Sequence, residues 1–89
     1  MKQQDEQQAT EQERRSQLDT IIGHHVMHTL GQPADLHAVQ VRRLWENRYR
    51  VNVLVGGDVT SVRVAKSYFL VTDAQGNIVT STPMITKTY

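Results

Sequence analysis

Residues 36–55 read LHAVQVRRLWENRYRVNVLV, and the period of this stretch decides the fold. From Arg48 to Val55 the residues alternate cleanly. Tyr49, Val51, Val53 and Val55 fall on one face, and Arg48, Arg50 and Asn52 fall on the other, which is the two-residue period of a β-strand. Leu36 to Trp45 alternates in the same way through Val39 and Val41. Between the two runs stand Glu46 and Asn47, a two-residue connection whose asparagine tolerates positive φ, so the pair reads as a hairpin.

The period continues downstream. Gly56-Gly57-Asp58 breaks the chain, and Val59 to Thr72 predicts a long third strand with Val62, Val64, Tyr68 and Leu70 on one face. Residues 73–77, DAQGN, have turn composition. Ile78 to Thr80 begins a return strand that Pro83 interrupts, as expected of an edge strand, with Met84 to Thr86 as its resumption. Ten of the eleven valines lie after residue 38, and β-branched side chains suit a pleated, half-buried surface.

Upstream the period changes to that of a helix. At about 100° per residue from Leu18, Ile22 falls near 40° and Val26 near 80°, with His25 and Thr29 beside them, which makes one stripe three turns long. Leu30-Gly31-Gln32-Pro33 ends the helix, with glycine where a left-handed cap residue belongs and proline two residues on. The start is set at Thr10, whose Thr10-x-x-Glu13 spacing matches a capping box, or at Ser16. Residues 1–17 hold six Gln and seven charged residues, and of apolar ones only Met1 and Ala9. They read as a polar tail or helical extension, with 1–9 frayed, because such a segment has nothing to bury against its ordering entropy.

The expected architecture is α+β: one amphipathic N-terminal helix packed across a three- to four-stranded antiparallel meander, with residues 18–89 as one domain. Short hairpin connections leave no room for parallel crossovers. The layout is similar in topology to cystatin-like and peptidase-propeptide-like two-layer arrangements, and topology alone says little of function.

Composition excludes several classes. The 89 residues carry a formal charge of +1, so no strong overall field points to nucleic acid or a membrane surface. With no cysteine there are no disulfides, thiolate nucleophiles or cysteine zinc sites. No apolar run reaches the ~18 residues of a membrane span. The Gln/Glu-rich start is unlike a signal peptide, so the expected location is cytoplasmic.

Three groups of residues are candidates for function. His24 and His28, at i and i+4, share a helix flank and are weak candidates for metal ligands, with His37 beyond the loop as the third; His25 falls in the apolar stripe. No metal or other cofactor is expected from so incomplete a set. Arg42, Arg48 and Arg50, set among Trp45 and Tyr49, are candidate anion ligands on the face away from the Tyr49–Val51–Val53 side. Phe69 and Val71 alternate opposite to Tyr68 and Leu70, and Leu54 opposite to Val53 and Val55. One helix covers only one face of a sheet, so Phe69, Val71, Leu54 and Trp45 are the candidate interface. A bulge between Ala65 and Ser67 would instead fold both pairs into one core.

Catalysis finds no support. Gly56-Gly57-Asp58 lacks the lysine and following helix of a phosphate loop, and no serine stands in a glycine-flanked elbow. The carboxylates outside the tail (Asp19, Asp35, Glu46, Asp58 and Asp73) sit in turns or caps with no paired spacing. The expected function is that of a non-catalytic interaction module, a homodimer through the sheet face, engaging a further protein partner. The alternatives are weak anion, small-ligand or nucleic-acid binding by the Arg-rich hairpin, nucleic acid being the less expected ligand, and a histidine metal-binding domain.

Overall fold

The computed structural model describes residues 2–89, and side chains from Glu11 onward. Helix α1 (Lys2–Leu30) precedes four strands: β1 (Leu36–Trp45), β2 (Arg48–Val55), β3 (Arg63–Thr72) and β4 (Ile78–Thr82). The strands form one antiparallel sheet in the order β1-β2-β3-β4. This is the α+β arrangement expected from the period switch at residue 36. The helix begins at Lys2, well before Thr10, and residues 11–17 are all exposed, so that stretch lies clear of the core.

Packing follows the apolar stripe. Ile22, Val26 and Leu30 are fully buried against Tyr49, Val51 and Val53 of β2 and Tyr68 and Leu70 of β3. Met27, Leu36, Val39, Val41, Ile78 and Ile85 close the margin. Gly23 faces β1, where an added Cβ would make ordinary contacts, 3.5 Å from Val41 Cγ2 and 3.7 Å from Val39 Cγ1.

The punctuation is as the residue types require. Gly31 takes φ of 87° and donates its N–H to the Met27 carbonyl at 2.9 Å, a left-handed cap. Asn47 takes φ of 49° in the β1–β2 turn, and its carbonyl accepts the Thr72 N–H at 2.8 Å. Asp73 organises the β3–β4 turn, accepting the N–H groups of Gln75 and Asn77, each at 2.9 Å.

Three expectations are corrected. The third strand starts at Arg63 rather than Val59, because Asp58 ties residues 58–61 into a local turn, accepting from the Thr60 and Ser61 N–H groups at 2.9 and 3.1 Å. Val64 does not share a face with Tyr68 and Leu70: Val53 pairs with Lys66 but Leu54 with Val64, so Ala65 is an extra residue that reverses the alternation. This bulge does not internalise Phe69 and Val71, which stay opposite to Tyr68 and Leu70. Beyond Pro83 the chain does not resume as a strand. It crosses to the helix end, where the N–H groups of Thr88 and Tyr89 donate to the Leu30 carbonyl at 2.8 and 3.1 Å.

Candidate functional site

The register places the candidates of two separate groups on one surface. Across the outer face, Trp45 pairs with Arg48, Arg42 with Arg50 and Ala38 with Leu54. In the next row Arg48 pairs with Val71, Arg50 with Phe69, Asn52 with Ser67 and Leu54 with Val64. The candidate interface residues Phe69, Val71, Leu54 and Trp45 therefore interleave with the candidate anion ligands Arg42, Arg48 and Arg50. Among the described residues, nothing covers this side. Trp45 and Val64 are each 55 % exposed, while Phe69, Val71 and Leu54 are half-buried by their sheet neighbours.

Trp45 reaches the outer face because β1 slips register between Arg43 and Trp45, which leaves Leu44 as the unpaired residue. Its ring stands 5.9 Å from that of Phe69 at a 42° tilt, a favourable aromatic geometry. The Arg48 guanidinium lies 5.8 Å over the Trp45 ring and donates to the Glu46 carbonyl at 3.1 Å. Arg50 donates to Ser67 Oγ at 3.5 Å, and Ser67 donates in turn to Asn52 Oδ1 at 2.7 Å. These bonds fix the arginines without neutralising them. The four strands together contain Arg42, Arg43, Arg48, Arg50, Arg63 and Lys66 and no acid at all, so the chain's near-zero net charge conceals a basic sheet.

The histidines do not converge. His24 and His28 line an open groove of about 680 Å³ between the helix and β1, with Asp19, Gly23, Met27, Val39 and Val41. His37 is left out of that lining as the unpaired residue of the slip between Leu36 and Ala38. His25 is held by the β3–β4 turn, its Nδ1–H donating to the Gly76 carbonyl at 3.0 Å. Among the described residues, no three His, Asp or Glu side chains gather as metal ligands.

The carboxylates are dispersed. Burial in the groove raises the Asp19 carboxyl above its usual range, offset in part by the charge of Arg43. Hydrogen bonds from Thr60 and Ser61 lower Asp58, and those from Asn77, Gln75 and Gly76 lower Asp73; both act as turn anchors. Burial and the neighbouring Tyr89 push the Tyr68 phenol up. Among the described residues, no buried side-chain polar atom lacks a hydrogen-bond partner, and no helix is long and apolar enough to cross a membrane.

Sequence reasoning missed Val64 as a member of the outer face, since no glycine or proline marks the bulge at Ala65. It also missed the groove, which depends on where the helix crosses β1. No family model, no curated protein and no solved structure matches this chain.

Proposed function

We propose that the protein is a non-catalytic interaction module of the cytoplasm that self-associates through the outer face of its sheet. The observation that carries this reading is the grouping of Phe69, Val71, Leu54 and Trp45 on one uncovered surface. An isologous contact needs only one patch, so a second copy is the economical occupant of this surface. Four strands at about 4.8 Å spacing and about 26 Å of strand length give a footprint of about 500 Å². Stable interfaces bury about 800 Å² per partner, so the contact is a weak one, populated at high protein concentration. The test is mass in solution: Phe69→Glu halves the mass while circular dichroism stays unchanged. A mass unaffected by Phe69→Glu refutes the reading.

A second reading has its own support. Arg42, Arg48 and Arg50 lie on this same surface, with no acid in the strands and Glu46 in the adjoining turn, which suits weak binding of an anion, a small anionic ligand or a nucleic acid. In this reading oligonucleotide binding is weak at ~50 mM salt and is lost by ~200 mM, because three arginines make few phosphate contacts and each of them weakens as salt is added. Sub-micromolar binding that survives the higher salt would put nucleic acid first.

A further inference from the structure

The two edges of the sheet are not equally protected. β4 is five residues long and stops before Pro83. Short edge strands and edge prolines are common ways of preventing strand addition. β1 is ten residues long, contains no proline or lysine, and pairs only with β2 among the described residues. Its irregularities fall at its two ends, at His37 and Leu44. From Ala38 to Arg43 it keeps an unbroken register with β2 and offers a free row of backbone donors and acceptors.

The residues along that free row are arranged symmetrically. The segment reads His37-Ala38-Val39-Gln40-Val41-Arg42-Arg43. Laid antiparallel on a second copy about a two-fold axis at Gln40, Val39 faces Val41, Ala38 faces Arg42, His37 faces Arg43, and Gln40 faces its own counterpart. No arginine stands opposite another arginine. A register moved by two residues, with Val41 on the axis, sets Gln40 against Arg42 and Val39 against Arg43, and keeps one valine pair, Val41 with its own counterpart, where the Gln40 axis makes two. Centring on Gln40 is thus the pairing that the side chains favour.

The groove beside β1 suits the same occupant. Val39 and Val41 are half-buried on its floor with Met27 and the buried Gly23. A second β1 laid along the edge brings its own Val41 and Val39 next to these and extends the apolar layer over the groove. We propose that two copies of the chain pair through their β1 edges about Gln40, making one continuous eight-stranded sheet. This contact is separate from the one on the outer face. The pairing leaves that face open and sets two copies of it side by side.

Gln40 is exposed on the outer face, so charging it leaves the monomer fold intact. On the axis, Gln40→Lys puts lysine against lysine and Gln40→Glu puts glutamate against glutamate. The mass of each variant in solution at ~100 μM is expected to be half that of the unmutated protein, with an unchanged denaturation midpoint. An equimolar mixture of the two is expected to restore the mass, because the opposite charges then meet. Full mass in Gln40→Lys alone, or no recovery on mixing, overturns the edge pairing. Because Gln40 also lies on the outer face, both Gln40 changes are repeated on Phe69→Glu, which lacks the face contact, and there the halving and the recovery on mixing report the edge alone. If Phe69→Glu halves the mass and the Gln40 variants do not, the face contact stands and the edge pairing falls. The reverse pattern keeps the edge pairing and removes the face contact.

Discussion

The two faces of the sheet share their strands and hydrogen bonds and differ only in the parity of their residues. On the inner face Tyr49, Val51, Val53, Tyr68 and Leu70 are buried beneath Ile22, Val26 and Leu30. On the outer face Arg48, Arg50, Asn52, Leu54, Phe69 and Val71 have no covering layer among the described residues. Beneath the helix the inner face is apolar, and its polar residues include Arg43 beside Tyr49, Lys66 beside Val53, and Thr72. The outer face mixes aromatic and branched side chains with arginines, a composition that suits intermittent contact and remains tolerable in water when uncovered. One helix fixes which face is core, and the other is left uncovered among the described residues.

The comparison breaks most visibly on the inner side. Ile22 is wholly enclosed, so Ile22→Ala should cost about 2–5 kcal/mol, a large share of the stability of a domain this small. Urea denaturation measures it, and an unchanged midpoint would mean that the helix does not pack as described. Next in size is the response of association to salt. Two outer faces bring six arginines together, so added sulfate should strengthen the face contact by screening and bridging them. Sedimentation at low and high sulfate checks this, and weakening by sulfate would point to attraction between opposite charges instead.

Smaller still is Val64→Thr. The bulge at Ala65 puts Val64 on the outer face, so stability should change by no more than about 0.5 kcal/mol. A cost of several times that would return Val64 to the core. The smallest effects are in pH. Asp58 and Asp73 are lowered in the folded state, so their contribution is present above about pH 3.8 and fades as the pH falls through their folded values. Asp19 is raised and has the opposite sign: the folded state is penalised as pH rises from 3.8 through its folded value. Asp19→Asn should therefore gain thermal stability at pH 7 relative to the unmutated protein, with no gain below pH 3. A loss at pH 7 would show that the attraction of Arg43 outweighs burial.

What was legible in the sequence was whatever has a period or a punctuating residue. Tyr49 to Val55 announced a strand by alternation, Gly31 and Pro33 ended the helix, and Asn47 made a two-residue turn possible. The third strand was legible only from Lys66 onward. Upstream of it, one extra residue with an unremarkable alanine side chain reverses the alternation, and Val64 changes face without a local signal. The candidate site was half legible for the same reason. Alternation separated Arg48 and Arg50 from Tyr49, and Phe69 from Tyr68. Placing Trp45 beside Phe69 required the slip at Leu44, a matter of register between strands that neither strand specifies alone. The histidines show the converse: helical spacing put His24 and His28 together, but His37 depended on a strand irregularity that left it outside the groove.

The claim on which the account rests is that the outer face is a contact surface and not a solvated side of a monomer. Light scattering at ~100 μM on the unmutated protein and on Phe69→Glu tests it most directly. The unmutated chain is expected to be an oligomer of even order, and Phe69→Glu to have half that mass with an intact fold. An unmutated chain that is monomeric at that concentration would contradict it, as would a Phe69→Glu chain of undiminished mass.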